Sequence, residues 1–348
     1  MKKTLVALAL TAFAASASAT VVYDADGTKV DFWGSLRLIV DNQTSKTDGK
    51  KDAGEDNGDT KLRNSGTRFG VKVNHALNDN GFYALGALQV RLKGNQDAGF
   101  GDLYAHQAYV GLGQKEYGQL TFGKQAVIAD DVGLANDYAY GLLNDYVPTS
   151  STSAIRYDYN GIEGLTLSAN YNFSQNQKND GKVLDKAIKN GYGFGAIYEV
   201  NNWIFQGAYG RTHYKTDSED KIRANAFDAA VGYNINDAVL VGVDGGYQIE
   251  KTGSDKDKSF YVGPMVKVQV TDKSSIYGNY KYAQTKYEGG SKDKEHGFLV
   301  GTDYKFHKNV VAFVEGAYVK GRSYDSQGNH SSAKTTEQAI GVGLRVNW

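Results

Sequence analysis

Ile340-Gly341-Val342-Gly343-Leu344-Arg345-Val346-Asn347-Trp348 closes the chain, and its reading decides the fold. Ile340, Val342, Leu344 and Val346 take every second position and Trp348 completes the series, with Gly341, Gly343, Arg345 and Asn347 between them. Successive side chains of a strand point to opposite faces, so the segment has one apolar face and one small or polar face. That pattern suits a wall between lipid and water. A terminal strand of a soluble core tends to fray and has no need to finish on an aromatic.

The same alternation recurs toward the N-terminus. Phe32, Gly34, Leu36, Leu38 and Val40 share a face opposite Trp33, Ser35 and Arg37, and Leu165, Leu167, Ala169, Tyr171 and Phe173 oppose Thr166, Ser168, Asn170 and Asn172. The period is two, not 3.6. Short Asn/Asp/Gly-rich turns are expected at 78–81, 115–118, 160–161, 201–202, 234–237, 271–273 and 307–309. Longer, charged connections alternate with them at 42–60, 94–101, 125–152, 175–190, 216–222, 251–258, 288–295 and 323–333. Seven short turns and eight long loops join sixteen strands and leave both chain ends on the short-turn side. The expectation is an all-β fold: a 16-stranded antiparallel transmembrane β-barrel with short periplasmic turns and long external loops. A secreted β-sandwich is the soluble alternative, but its strands need not alternate for so long.

Composition agrees. Two prolines, 42 glycines and 25 tyrosines in 348 residues suit sheets, strand bends and an interfacial girdle. No cysteine is present, which excludes disulfides and thiolate metal sites. Lys2 and Lys3, the apolar run to Ala14 and the small residues Ala17-Ser18-Ala19 read as a signal peptide over 1–19, leaving 20–348 as the barrel. Without Lys2 and Lys3, 37 basic residues face 39 acidic ones, a balance that excludes a nucleic-acid partner. Beyond the leader no apolar run is long enough for a membrane-spanning helix.

Over essentially its whole length the chain resembles the Gram-negative general diffusion porins, most of all the Pasteurella–Haemophilus type. The resemblance rests on the order of three stretches and the terminal aromatic. Residues 22–31, Val-Tyr-Asp-Ala-Asp-Gly-Thr-Lys-Val-Asp, resemble that family's first strand. Thr67-Arg68-Phe69-Gly70-Val71-Lys72 resembles the second, and Tyr117-Gly118-Gln119-Leu120-Thr121-Phe122-Gly123-Lys124 the strand before the third loop. The resemblance implies a homotrimer of barrels, each with its own pore narrowed by an inward-folded third loop. It also implies passive diffusion of ions and small hydrophilic solutes, with outer-membrane lipid and lipopolysaccharide as surroundings. The last aromatic, here Trp348 rather than the usual phenylalanine, is implied as the signal to the outer-membrane assembly machinery. The sequence departs from the enteric pattern in the loop tip, Tyr140-Gly141-Leu142-Leu143-Asn144-Asp145, and at His106, where the family places an arginine.

Two sets of residues are candidates for a constriction. Strand parity puts Arg37, Arg68, Lys72, Arg91 and Arg156 on polar faces, hence in the lumen of a barrel. The loop from Gln125 to Thr152 carries Asp130, Asp131, Asp137 and Asp145 and no base. A basic wall facing an acidic loop sets a transverse field that biases ion passage. A substrate-selective (sugar or anion) channel is the nearest alternative, with Trp33 and Tyr83 as candidate sugar contacts. An outer-membrane barrel enzyme is the alternative from another class. The six histidines form no HExxH pair, and neither G-x-S-x-G nor a P-loop is present, so no catalytic residue, metal site or cofactor is expected.

Overall fold

A computed structural model describes residues 19–52, 58–93, 101–176, 186–216 and 221–348. All of the expected leader except Ala19 lies outside them, as do the charged positions Glu55 and Asp56. The described chain forms a closed antiparallel barrel of sixteen strands. The first is Thr28–Thr47, and the second comes in two pieces, Thr60–Asn64 and Arg68–Ala76. The third to eighth are Phe82–Leu92, Leu103–Gln114, Gly118–Ala126, Ser150–Ile162, Leu165–Asn172 and Ile188–Val200. The ninth to twelfth are Trp203–Tyr214, Ile222–Asn236, Val239–Thr252 and Asp255–Thr271. Ser274–Lys286, Lys292–His307, Val310–Tyr324 and His330–Asn347 complete the ring.

Period-two sorting sets the two faces. On the fourteenth strand Phe298 and Val300 are 52% and 62% exposed on the outside, while Leu299 between them is fully buried inside. Ring closure comes from the opening stretch of the sequence: Val342 pairs with Val40, Leu344 with Leu38 and Asn347 with Ser35. The partner region runs from Ser35 to Thr47. The remaining edge of the first strand, at Thr28 to Phe32, is taken by a short strand Thr20–Ala25, with Thr20 opposite Phe32 and Ala25 opposite Thr28. Residues 22–31, which resemble a single strand, are therefore a hairpin. Asp26 and Gly27 turn it at φ 53° and 73°, the positive values an Asp-Gly turn supplies.

Several connections differ from expectation, and the ladder reaches into 42–60 as far as Thr47 and into 288–295 from Lys292 on. The turn expected at Asn160-Gly161 falls at Glu163-Gly164, where Gly164 takes φ 74° and its carbonyl accepts the Glu199 N–H. The stretch 251–258 is not a long loop: the strands pair out to Thr252 and Asp255, with Gly253-Ser254 between. Charged residues there mark a ladder that runs beyond the apolar band rather than a solvated coil.

Trp348 seals the seam. Its N–H donates to the Gly34 carbonyl at 3.0 Å, and its own carbonyl accepts from Gly34 N–H at 2.9 Å. The indole covers Gly34 so closely that a Cβ there would overlap the ring. Fully burying an aromatic is worth about 3–5 kcal/mol, and this ring is partly exposed. Trp348→Ala should therefore lower stability by about 2 kcal/mol, read as a lower urea midpoint, and Gly34→Val should do the same by displacing the ring.

Candidate pore constriction

The connection between the fifth and sixth strands enters the lumen and lies against the far wall. It starts with a 3-10 turn at Ile128–Asp131 and then meets side chains from every second strand of the wall. Gly133 N–H donates to Gln206 Oε1 (2.8 Å) on the ninth strand and Leu134 N–H to Asp244 Oδ1 (2.6 Å) on the eleventh. Asn279 on the thirteenth donates to the Asn136 carbonyl at 2.6 Å. Glu315 on the fifteenth accepts three consecutive loop N–H groups, from Tyr138, Ala139 (2.8 Å) and Tyr140 (3.2 Å). Its Oε1 also accepts the Tyr277 hydroxyl at 2.6 Å. On the return, Asp228 of the tenth strand accepts Tyr146 N–H (3.1 Å) and Val147 N–H (2.8 Å). An irregular segment has no ladder of its own, so each of its buried amides needs an acceptor. Here the wall supplies them.

Apolar packing fills the space between these bonds. Val127, Ile128, Tyr146 and Val147 are buried in one cluster with Ile197, Ala208 and Ala226 of the wall. Close approach requires wall glycines. A Cβ at Gly195 would stand 2.8 Å from Ile128, one at Gly232 2.7 Å from Leu134, and one at Gly263 2.6 Å from Leu143. Gly195 is thus the bed on which the loop root rests.

The opposite wall carries arginines in a row. Arg345 pairs in register with Arg37, Ser35 with Arg68, and Arg68 with Arg91, so the row crosses the sixteenth, first, second and third strands. Arg37 is within electrostatic reach of Arg68, Arg345 and Arg91. Guanidinium groups keep their charge in proteins, which makes this a fixed positive stripe. Arg37 Nε donates to Ser35 Oγ at 2.7 Å and Arg68 Nε to the Gly66 carbonyl at 3.0 Å, which hold two of them in place. His106 stands beside Arg91, Arg68 and Lys124. Across from the stripe, Asp130 is exposed to the lumen and interacts with Arg91, Arg68 and Asp145. Asp137, also exposed, interacts with Arg345.

Not every expected charge joins this group. Lys72 faces Asp31 in register, one turn of side chains nearer the short-turn end, where Asp31 also meets Lys29 at 3.4 Å. Arg156 is 1% exposed and anchors the loop root: it donates to Asp158 (2.8 Å) and to the Ala126 carbonyl (2.9 Å), with Asp131 at 3.8 Å. Burial pushes the Asp131 carboxyl up to about 7, against the pull of Arg156. Arg345 belongs to the stripe and also ties it to the loop, donating to the Tyr138 carbonyl with its guanidinium 4.6 Å from the Tyr138 ring. The loop-holding acids Asp228, Asp244 and Glu315 went unnoticed in the sequence, where each stands singly at an inward position among small or apolar neighbours. That isolation was the available signal.

A sequence profile described as "Gram-negative porin" matches residues 4–324. Two curated relatives, each a major outer membrane protein of Pasteurella multocida, are 32% and 30% identical, the latter from strain Pm70, with 100% of both chains covered in each case. Among solved structures, the trimer form of in-vitro folded OmpT, an outer membrane protein of Vibrio cholerae, matches with TM-score 0.71 at 20% identity, over 93% of this chain and 100% of that one.

Two tests address the loop. Glu315→Ala leaves three loop amides without their acceptor, each worth about 1–3 kcal/mol when no water replaces it. Because the lumen is wet, the expected cost is at the lower end, and single-channel current noise should rise; Glu315→Gln, which keeps an acceptor oxygen, should be milder. The second concerns pH. A carboxyl raised above its usual 3.8 favours the folded state at low pH, and this contribution disappears as pH rises through about 7. The same ionisation adds a negative charge beside the pore. The K+/Cl− permeability ratio should therefore rise between pH 6 and pH 8, and Asp131→Asn should flatten that rise.

Proposed function

The chain belongs to the Gram-negative porin family and forms an outer-membrane pore for diffusion, and on that premise we propose a general channel for ions and small hydrophilic solutes, biased by a transverse field. The observation that carries this reading is the row Arg345, Arg37, Arg68 and Arg91 on one wall with Asp130 and Asp137 opposite. In such a field a polar solute gains by aligning its dipole, and a bulky apolar one must give up ordered water without compensation. The residues that carry the bias are Arg37, Arg68, Arg91 and Arg345 on the wall and Asp130, Asp137 and Asp145 on the loop. Arg156 and Asp131 set the position of the loop root, and Lys72 belongs to the short-turn mouth.

A sugar-selective channel would need an exposed aromatic path. Trp33 is instead buried in a cluster with Leu85, Ala87 and Tyr109, and Tyr83 packs against that cluster. The reading includes no covalent step and no cofactor. It includes removal of residues 1–19 and recognition of Trp348 by the assembly machinery. It also includes a homotrimer, supported by the trimer form in which the Vibrio cholerae relative was solved.

A planar-bilayer experiment tests the pore. Conductance should appear in steps of three, ohmic at low voltage. A charge about 6 Å from a passing ion in a water-like medium is worth roughly 0.7 kcal/mol. Each lost charge moves K+ and Cl− in opposite senses, so Arg68→Ala together with Arg91→Ala should raise the K+/Cl− permeability ratio by roughly tenfold or more, read from reversal potentials across a salt gradient. Unchanged reversal potentials would remove the arginine row from the selectivity mechanism.

A further inference from the structure

Inside the barrel, on the long-loop side of the arginine row, the returning arm of the loop and the thirteenth to sixteenth strands enclose a cavity of about 570 Å3. Small-molecule sites have volumes of roughly 300–1,000 Å3. On these four strands the odd-numbered residues point inward, as Tyr277, Leu299, Phe313 and Arg345 do. Register sorts their outer ends into rows. Outermost, Asp293 stands between Thr285 and Ser323. In the middle row Gly321 stands between Glu295 and Thr335. Deepest, Val319 stands between Gly297 and Glu337. Leu142 of the loop closes the floor, buried against Tyr277 and Leu299 with Val319 packed alongside.

Charge in the cavity is unevenly met. Lys281 is 5% exposed and is held by Glu295 and by the side-chain oxygen of Asn144 at 3.2 Å. Asp293 accepts a neutral donor, the Tyr287 hydroxyl, at 2.7 Å. Glu337 is exposed. Among the described residues neither Asp293 nor Glu337 is in an ion pair. Lys294 and Arg322 also border the cavity, but their parity is outward, and the Lys294 ammonium lies 5.2 Å from the Tyr324 ring. Two carboxylates therefore face the cavity without a cation.

Their spacing selects the solute. Asp293 and Glu337 lie diagonally across Gly321, two strands and four residues apart in register. Strand geometry sets their Cα atoms roughly 16 Å apart, so side chains reaching toward each other leave roughly 10 Å. One ammonium group cannot bridge that gap; two on a rigid body can. A charge-assisted hydrogen bond is about twice as strong as a neutral one, so each carboxylate favours an amine. Between the acids the lining carries hydroxyls on Ser323 and Thr335 and an apolar floor of Leu142 and Val319. A linear diamine would leave those hydroxyls to water, and a neutral sugar would leave the carboxylates unpaired.

We propose that the cavity is a binding subsite for short amino-sugar oligomers, with one amine at Asp293, another at Glu337, and sugar hydroxyls at Ser323 and Thr335. The proposal rests on the diffusion-pore reading and names a class of solute that the channel retains before the constriction. Recognition by charge and hydroxyl needs no exposed aromatic path. The subsite shares no residue with the arginine row.

The test titrates the full chain with the β-linked glucosamine disaccharide, its di-N-acetylated counterpart and a linear diamine of matched length. Binding is read by isothermal titration in detergent, and by current blockade in a planar bilayer with the solute on the long-loop side. The disaccharide should bind about twentyfold more tightly than the acetylated form, which lacks both charges, and more tightly than the diamine. Glu337→Gln and Asp293→Asn should each weaken its binding by about fivefold. Should Asp293→Asn fail to insert, Glu337→Gln, at an exposed position, carries the test alone. Channel current without solute reports on the pore by itself, so absent binding with normal current refutes the subsite and not the pore. Equal affinity for the disaccharide and its acetylated form, equal or tighter binding of the diamine, or unchanged affinity in Glu337→Gln would overturn the proposal.

Discussion

Every backbone N–H and C=O that crosses a membrane has to find its partner within the protein, because hydrocarbon offers none. A sheet meets that demand only by closing, and here closure depends on the pairing of Thr335–Asn347 with Ser35–Thr47. The rest follows from it. Once the ring is shut, period-two alternation gives each residue either a lipid address or a lumen address. Strand length beyond the apolar band then becomes a place for charge. The Gly34 contact with Trp348 matters because it completes this seam at the short-turn end, where the ladder of the last strand runs out.

A closed ring of this kind has an interior too wide for side chains to fill, and a loop occupies part of it. That loop has lost its ladder partners, so the wall substitutes for them with carboxylates and amides placed one per strand. Asp244, Asn279 and Glu315 receive the outgoing arm and Asp228 the returning one. Hydrogen bonds fix direction while glycines such as Gly232 and Gly263 fix distance, by omitting the Cβ that would push the loop into the channel. Holding the loop on one wall leaves the other wall bare, and it is this bare wall that bears the arginine row.

The barrel was legible because alternation and turn residues are local, and both survive in a single sequence. The strand count, the closing strand and the lumen address of Arg37, Arg68 and Arg91 all follow from them. What was not legible depended on partners distant in the chain. Arg156 has the parity of a pore charge, but Asp158, Asp131 and the Ala126 carbonyl make it a loop anchor. Lys72 has the same parity and lies too near the turn. Glu315 looks like an ordinary inward acid until three amides more than 170 residues away in sequence converge on it. Charge-rich stretches mislead for another reason: the composition of 251–258 is that of a loop, although the order of its charges has the period of a strand.

That order shows how one sequence can satisfy two electrostatic surroundings with the same few residues. A strand extended past the apolar band presents its odd positions to the vestibule and its even positions to the lipid headgroups. Mixed charges placed at random would bring both signs to both faces and neutralise each locally. Strict alternation separates them instead, giving acids such as Asp293 and Glu295 to the lumen and bases such as Lys292 and Lys294 to the outside. The separation costs repulsion between neighbouring strands, most plainly along Lys294, Arg322 and Lys334. A near-neutral total charge thus conceals two oppositely charged surfaces, which only the strand register brings out.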